Sequence, residues 1–362
     1  MSRKSPRSGY RLLLVLALVV LVVAACGGGE HSQNTLAPKG PEARTVDSLW
    51  DFTFPIAVAI FFLVQGLVVL IMWKFRARSD DDSPKQVHGN AKAEIGWTIA
   101  PAALLAAVGV FTVITVFDIN EQAEGSDVVN VKVVGHQWWW EYEYTDLDIV
   151  TANELHIPVQ RTVQLELTAA DVIHSFWPPA LAGKVDTVPG RTNHMKIEAD
   201  EPGRYPGQCA EYCGLSHANM RLVVVAHSAE DFEDWVENQQ RDAETPVRTE
   251  TTTTVAGDEA AAEPIDALTG SELFITRGCS GCHTVRGLEG AAGKIGPDLT
   301  HFASRKVFAG AIFETDDKNL RKWLRNPPAE KPMMPANGQG MPNLGLSEDD
   351  ITSLIAYLET LT

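Results

Sequence analysis

The chain has 362 residues, of which 45% are hydrophobic, and its 30 basic and 47 acidic side chains give a formal net charge of −17. That length indicates two or three domains, and the hydrophobic fraction excludes a largely disordered chain. The acidic balance argues against nucleic-acid binding, which requires a basic surface. The five cysteines form one singleton and two close pairs, a pattern more typical of ligands than of a disulfide framework.

The N-terminus carries the pattern of a secretory signal. Basic residues precede the apolar run LLLVLALVVLVVAA, which ends at Cys26, so a signal peptide is predicted over residues 1–25. The ending VAAC resembles a bacterial lipobox, which implies that Cys26 is acylated and becomes the mature N-terminus. The alternative is a plain signal peptide followed by an unmodified cysteine. Both interpretations place the processed N-terminus outside the cytoplasm.

Two further apolar runs predict a transmembrane hairpin within residues 47–117. The runs at 52–73 and 95–117 are each long enough, at ~1.5 Å per residue, to cross a hydrocarbon core of about 30 Å. Basic residues between them favour a cytoplasmic loop, so both ends of the hairpin and everything after it should face outward. Glu94 precedes the second span, and an ionisable residue at a membrane edge is by itself a weak indication of function.

Residues 118–236 change to short alternating segments bounded by Pro, Gly and Asp, which predicts a β-sandwich or Greek-key barrel. The segment PGQCAEYCGLSHANM brings two thiols, an imidazole and a thioether into one loop. Such soft and borderline ligands favour copper over hard cations, and two cysteines permit two copper ions bridged by both sulfurs. The alternative is a CxxxC disulfide with an incidental His and Met. With a histidine from the segment DVIHSFW, the candidate ligands are His174, Cys209, Cys213, His217 and Met220.

Three segments of this region resemble cytochrome c oxidase subunit II: GHQWWWEYEY, DVIHSFWPPALAGKVDTVPGRTN and QCAEYCGLSHANM. The resemblance covers residues 47–236 and implies a cupredoxin-like fold with a dinuclear copper A site. It implies copper ligation by the five side chains above and by the backbone carbonyl of Glu211, whose side chain would reach a magnesium ion shared with the catalytic subunit I. It also implies that electrons enter from a cytochrome c at Trp138, and that Glu94 lies at the mouth of a proton-uptake path.

A flexible, acidic linker is predicted between the second and third domains, over residues 237–268. Its segment RDAETPVRTETTTTVAGDEAAAEPID has almost no large apolar side chain, which disfavours a packed core. Such a tether would hold the third domain at a high effective concentration beside the copper site.

The third domain, residues 269–362, carries the pattern of covalent haem attachment. In GSELFITRGCSGCHTV, Cys279 and Cys282 are spaced to bond the haem vinyl groups, and His283 is placed as one axial iron ligand. A zinc site would need a second ligand pair, which does not follow in the sequence. A disulfide or thioredoxin-like motif would not need the histidine. IGPDLTHFASR and the amphipathic C-terminal segment resemble small class I cytochromes c, which implies an all-α domain.

The other axial iron ligand is expected to be a methionine, which raises the iron potential relative to a second histidine. The segment PMMPANGQGMPNLGLSE offers Met333, Met334 and Met341. The resemblance places Met-Pro a few residues before the Leu-Ser that opens the last helix. This spacing favours Met341, with Met334 as the alternative.

The combined features resemble the caa3-type oxidase, in which a cytochrome c domain is fused to subunit II. The resemblance implies a subunit of a bacterial cell membrane that passes electrons from a cytochrome c or cytochrome bc complex, through haem c and copper A, to the catalytic subunit I. Oxygen reduction and most proton pumping would occur in that partner. Two alternatives stay open: a copper-A nitric oxide reductase subunit, and a membrane-tethered copper carrier or sensor. The third domain is nearly neutral, so only weak electrostatic docking on the copper domain is expected.

Overall fold

Two long apolar helices open the part of the chain that the computed structural model describes. That part comprises residues 33–76, 86, 89–125, 127–244, 246 and 266–362. The predicted signal peptide and Cys26 lie outside the described residues. Helix α1 spans Pro41–Lys74 and helix α2 spans Ala91–Asn120, so both extend beyond the predicted spans. Both are long and apolar enough to cross a membrane, and Phe52 and Phe111 pack between them with ring centroids 4.6 Å apart.

The hairpin is joined to the next domain at the end where α1 begins and α2 ends. Just before α1, the backbone N–H of Lys39 donates to the carbonyl of Ala180 at 2.7 Å. Just after α2, the backbone N–H of Ala123 donates to the side-chain oxygen of Gln164 at 2.8 Å. The second domain is therefore attached to the hairpin end that lies opposite the basic connection between the two helices.

Ten strands form the second domain, hereafter the β domain, which is a sandwich of two five-stranded sheets. The strands are β1 (Val129–His136), β2 (Trp139–Tyr144), β3 (Ile149–Ala152), β4 (Glu154–Pro158), β5 (Val163–Ala169), β6 (His174–Trp177), β7 (Val185–Thr187), β8 (Asn193–Ile197), β9 (Gly203–Cys209) and β10 (Arg221–His227). One sheet has the order β3-β2-β1-β5-β8 and the other β4-β10-β9-β6-β7. Helix α3 (Ala229–Gln240) follows the last strand. The predicted β-sandwich is confirmed.

The aromatic strand β2 shows how the sequence builds the core of this sandwich. Trp140, Tyr142 and Tyr144 alternate with glutamates, and all three aromatic side chains are buried. A period of two places them on one face of the strand. Trp140 meets Phe176 of the opposite sheet edge-on, with ring centroids 5.3 Å apart. The hydroxyl of Tyr144 donates to the carbonyl of His156 at 2.6 Å, so this buried polar group is paired.

The C-terminal domain is helical, as predicted, with one short ribbon that was not predicted. Its elements are α4 (Ala267–Thr276), β11 (Val307–Phe308), β12 (Phe313–Glu314), α5 (Asp317–Arg325), α6 (Pro327–Glu330) and α7 (Glu348–Leu358). Helices α4 and α7 cross closely at Gly270, where a Cβ would lie 2.0 Å from the carbonyl oxygen of Ser353. The side chain of Ser347 caps α7 and completes a capping box with Asp350.

The segment after α3 is attached to the C-terminal domain. Helix α3 continues to Gln240, inside the range predicted as a linker, and Arg286 donates hydrogen bonds to the carbonyls of Gln239 and Arg241 near its end. A basic side chain there satisfies carbonyls that the helix leaves unpaired. The backbone N–H of Ala243 donates to the carbonyl of Arg286 at 3.0 Å. The rest of the predicted linker lies largely in residues 247–265, outside the described part of the chain.

Candidate copper centre and cofactor cavity

The end of β9 and the segment that follows it, residues 209–220 and hereafter the copper loop, carry four predicted copper ligands, and a fifth comes from β6. The Sγ atoms of Cys209 and Cys213 lie 3.8 Å apart. Nδ1 of His174 lies 4.0 Å from Sγ of Cys209, and Nδ1 of His217 lies 3.6 Å from Sγ of Cys213. Sδ of Met220 is 3.9 Å from Sγ of Cys213. The two sulfurs thus form the centre of a compact group of soft and borderline donors, which is a donor set that fits copper.

The backbone of Glu211 belongs to the same group. Its carbonyl oxygen lies 3.2 Å from Sγ of Cys209, within the loop that carries both cysteines. Its carboxylate side chain is exposed at the domain surface. A magnesium ion at this carboxylate would therefore need further oxygen ligands from another subunit or from water.

Asp171 fixes the orientation of the His174 ring. Its carboxylate accepts a hydrogen bond from Nε2 of His174 at 2.8 Å, which leaves Nδ1 on the side of the cysteines. The same carboxylate accepts the backbone N–H groups of Gln137 and Val172, each at 2.6 Å. Burial alone would raise the pKa of Asp171, but these hydrogen bonds outweigh it and the pKa lies below its ordinary value. Such outer partners set the tautomer of a ligating histidine.

The two thiols ionise as a coupled pair. The hydrogen bond from Cys213 lowers the pKa of Cys209, because the remaining S–H stabilises the first thiolate. That thiolate in turn raises the pKa of Cys213, and burial adds to the rise. The opposite shifts favour one thiolate and one thiol in this pair. A metal that binds both sulfurs would have to displace the remaining thiol proton.

A cavity of about 470 Å³ lies between the C-terminal domain and the turn of the β domain that joins β1 to β2. Its lining includes Cys279, Cys282 and His283 from one domain and Trp138 from the other. Nδ1 of His283 lies 2.8 Å from the carbonyl oxygen of Pro297 and donates to it, so Nε2 keeps its lone pair. Burial lowers the pKa of His283, which favours the neutral ring that binds a metal.

The environment of Arg305 indicates which kind of group fits this cavity. Its guanidinium is buried, lines the cavity and donates to the carbonyl of Asp298 at 2.6 Å. Its Nε is without a hydrogen-bond partner among the described residues. A buried cation with an unpaired donor calls for an anionic group in the cavity. The volume, the two thiols, the histidine and this arginine together fit a haem with its carboxylate side chains.

The three candidate methionines occupy different places. Met341 and Met333 line the cavity. Met341 packs on the core of the C-terminal domain, whereas Met333 packs on the core of the β domain. Met334 is 44% exposed, and its Sδ lies 3.9 Å from the side-chain nitrogen of Asn337. Met341 therefore shares the cavity with His283, and Met334 lies at the surface.

The C-terminal domain contacts the β domain directly beside the copper loop. Nζ of Lys331 donates to the carbonyl of Trp138 at 2.6 Å, and the backbone N–H of Arg221 donates to the carbonyl of Gly310 at 2.9 Å. Trp138 is 2% exposed, and its side chain also packs in the core of the β domain. Its indole N–H donates to the carbonyl of Cys213 at 3.0 Å, so this side chain joins the cavity to the copper loop. Weak docking was expected from net charge alone. The observed contacts are hydrogen bonds to backbone carbonyls, which net charge does not reflect.

Glu94 lies in the first turn of α2, where it takes part in capping. Its carboxylate accepts the backbone N–H of Asn90 at 3.1 Å, while the side chain of Asn90 accepts the backbone N–H of Ala93 at 3.2 Å. These bonds satisfy donors that a helix leaves unpaired at its start. They assign Glu94 a structural role in this chain, and its part in proton uptake stays a prediction.

Sequence reasoning missed three residues that position these sites: Asp171, Arg305 and Lys331. Asp171 precedes His174 by three residues, a spacing that could have indicated a carboxylate that orients the histidine ring. Arg305 follows the IGPDLTHFAS segment and gives no signal of burial in the sequence. Lys331 stands in a proline-rich loop where an exposed lysine is the normal expectation, yet it is 3% exposed.

The chain is similar to known proteins along most of its length. Three protein-family models match it: cytochrome c oxidase subunit II, transmembrane domain, at residues 32–114; cytochrome c oxidase subunit II, periplasmic domain, at residues 148–227; and cytochrome c at residues 267–362. Cytochrome c oxidase subunit 2 of Alkalihalophilus pseudofirmus is 39% identical over 354 residues, covering 96% of each chain. The protein of the same name from Bacillus sp. (strain PS3) is 34% identical, covering 97% of each chain. The solved periplasmic domain of subunit II of cytochrome oxidase (CoxB) from Bradyrhizobium japonicum is 31% identical, with a TM-score of 0.32, covering 33% of this chain and 97% of its own.

Proposed function

The chain belongs to the cytochrome c oxidase subunit II family, and we propose that within it electrons pass from a covalently bound haem c to a dinuclear copper A centre. It is a membrane protein and a subunit of a haem–copper oxidase, an oxidoreductase complex. It therefore partners with the catalytic subunit and with other subunits of that oxidase. Copper and haem are the cofactors that its two soluble domains imply.

The copper loop supports a two-copper site bridged by both cysteines. When bound, copper and haem each supply one-electron redox chemistry. The thiolates of Cys209 and Cys213 would bridge the metals, with His174, His217, Met220 and the carbonyl of Glu211 as the remaining ligands. Cys209 ends β9 and pairs with Phe176 of β6, the strand that begins at His174. Ligands held on paired strands move little between oxidation states, which favours fast electron transfer.

The C-terminal cavity supports covalent haem attachment. Cys279 and Cys282 would form the thioether bonds, and Nε2 of His283 would hold the iron on one side. Met341 is the proposed ligand on the other side, because it shares the cavity and packs on the core of the C-terminal domain, whereas the sequence alternative Met334 lies at the surface. The unpaired guanidinium of Arg305 would pair with a haem carboxylate.

One observation supports the proposed electron path most directly. Trp138 lines the cavity, and its indole N–H donates to the carbonyl of the copper-loop residue Cys213 at 3.0 Å. A single buried side chain therefore lines the proposed haem cavity and is bonded to the copper loop. Electron transfer along this side chain would occur within one chain and would not require an encounter with a separate cytochrome.

The placement of the domains supports an outer-face location in a bacterial cell membrane. The β domain is attached to the hairpin end opposite Lys74 and Lys92, which flank the connection predicted to be cytoplasmic. We propose an acylated Cys26 as a second membrane anchor, Glu94 as the mouth of a proton path and Glu211 as a magnesium ligand shared with subunit I. A cytochrome c or a cytochrome bc complex is the proposed donor.

Optical spectra of the oxidase purified with this chain test the proposal. The oxidised complex should show the near-infrared absorption of a mixed-valence copper pair, and the reduced complex a c-type α-band. Cys213→Ser should remove the first signal and keep the second, and Cys282→Ser, its matched control, should do the reverse. A haem band without the copper signal in the unmodified chain would contradict the proposal. Copper that leaves readily to an apo-acceptor would instead support a carrier, and nitric oxide turnover without oxygen turnover would support the reductase alternative.

A further inference from the structure

We propose that Lys331 is the docking residue that holds the C-terminal domain on the β domain of its own chain, beside the copper loop, and that this docking closes the surface around Trp138 to any separate haem protein. The inference rests on the proposed function, because it concerns access to the copper centre. It goes beyond that function because it restricts the electron donor: while the tethered domain is docked, no other haem protein can reach the copper centre.

The contacts of Lys331 join the two domains. Its Nζ donates to the carbonyl of Ala309 at 2.9 Å within its own domain and to the carbonyl of Trp138 at 2.6 Å across the boundary. The side chain is 3% exposed. Buried lysines are rare, because removing an ammonium from water is costly unless its donors are satisfied. The contact across the boundary therefore supplies a hydrogen bond that Lys331 would have to find in water if the domains separated.

Gly310 lets the backbone approach close enough for this contact. Its φ of +80° is a conformation that glycine adopts without strain, and a Cβ there would lie 2.5 Å from Nζ of Lys331 and 2.8 Å from the carbonyl oxygen of Trp138. The same Cβ would lie 2.9 Å from the carbonyl oxygen of Asn219, in the copper loop. A side chain at this position would force the two domains apart.

Neighbouring contacts extend the covered surface on both sides of Trp138. The hydroxyl of Ser216 donates to the carbonyl of Pro332 at 2.5 Å. The side-chain amide of Gln339 donates to the side-chain oxygen of Gln137 at 2.9 Å. Residues from the C-terminal domain thus occupy the surface that a separate haem protein would need in order to contact Trp138.

The chemistry of this interface predicts weak dependence on salt. The contacts are hydrogen bonds to buried carbonyls and amides, and the backbone N–H of Lys306 adds one to the buried carboxylate of Glu154 at 3.1 Å. Screening by salt acts mainly on exposed charge pairs. A tether also keeps the docked domain at a far higher effective concentration than a diffusing competitor. Docking should therefore persist at ionic strengths that separate proteins held by surface charge.

Amide hydrogen exchange on the purified oxidase complex tests the inference. Lys331→Met keeps the apolar length of the side chain and removes its donors, and Gly310→Ala obstructs the same contact from the backbone side. Each variant should raise exchange in segments 134–141 and 306–312 by roughly tenfold to a hundredfold, the effect of one broken buried hydrogen bond. Lys322→Met is the matched control, because Lys322 lies in the same domain and forms a half-exposed pair with Glu330 at 3.4 Å. It should leave both segments unchanged.

Addition of a soluble class I cytochrome c tests whether the docked domain excludes a separate haem protein from the surface around Trp138. The first part of this experiment uses the unmodified complex. The cytochrome should leave exchange at 134–141 unchanged in the unmodified complex and should protect this segment in Lys331→Met and Gly310→Ala. Equal protection in the unmodified complex, or unchanged exchange in both variants, would overturn the inference. The copper and haem absorption bands are recorded on every sample. Their absence from the unmodified complex would instead refute the proposed function.

Discussion

Replacing Gly135 by alanine tests how tightly strand β1 fixes His174, a proposed copper ligand. A Cβ at position 135 would lie 2.8 Å from Cδ2 and 3.1 Å from Cγ of the His174 ring, and 3.1 Å from Oγ1 of Thr187, whereas ordinary contacts begin at 3.4 Å. The ring cannot retreat freely, because it is fully buried and its Nε2 is bonded to Asp171 at 2.8 Å. The added methyl group must therefore displace the ring, the strand or both.

The size of the effect follows from this overlap. Inserting one methyl group into a well-packed interior costs about 1–3 kcal/mol. If the cost falls on the metal-bound geometry, copper affinity drops by roughly a factor of ten to a hundred. Because the displaced ring carries Nδ1, the proposed ligand atom of His174, the copper signals should change shape as well as lose intensity.

Copper titration of the purified, copper-depleted complex measures both effects, through the near-infrared band and electron paramagnetic resonance. Gly183→Ala is the matched control in the same domain, because a Cβ at Gly183 would meet nothing within 4 Å. It should bind copper as the unmodified protein does. Unchanged copper affinity and an unchanged spectrum in Gly135→Ala would refute the argument that β1 holds the His174 ring in place.

Three further predictions concern the iron ligand and two pH dependences. Met341→Ala should abolish the methionine–iron charge-transfer band, while Met334→Ala keeps it; the opposite result would reassign the ligand. Because the pKa of Cys213 is raised, copper binding should release protons and become tighter as the pH rises. Calorimetry in buffers of different ionisation enthalpy should therefore give different binding heats, and identical heats would contradict this prediction. Burial, with a contribution from His156, lowers the pKa of His227 from the ordinary value of 6.5 to about 4. Between pH 6.5 and pH 4, the unfolded chain therefore binds a proton at His227 that the folded chain does not bind. Stability of the β domain should therefore fall as pH drops from 6.5 towards 4, measured as the guanidinium midpoint by circular dichroism, and His227→Gln should reduce this slope; equal slopes would contradict it.

The sequence predicted those features that depend on local pattern. The alternation of aromatic and acidic residues in β2 indicated a half-buried strand, and the CxxxC and CxxCH spacings indicated the two cofactors. Local pattern also located the two apolar helices, which extend beyond the predicted spans at both ends. The cap of Asn90 and the extra turns of α1 are set by contacts at the helix ends, which hydropathy does not register.

The relation between the two soluble domains could not be predicted in the same way. Net charge suggested weak docking, but docking depends on where single donors meet carbonyls, as Lys331 meets Trp138 at 2.6 Å. Lys331 and Trp138 lie in different domains, far apart in the sequence. Asp171 was closer to prediction, because its partner His174 is three residues away. Long-range pairings of this kind become visible only in the folded chain.

Flash photoreduction of the purified oxidase tests the central claim most directly, namely that the C-terminal cavity and the copper loop form one electron path within the chain. A light-activated reductant delivers one electron to the C-terminal haem, and the α-band and the near-infrared copper band are followed together. If electrons pass within the chain, both signals should decay with one first-order rate constant that is independent of protein concentration. A haem that stays reduced, or a rate that rises with protein concentration, would contradict it.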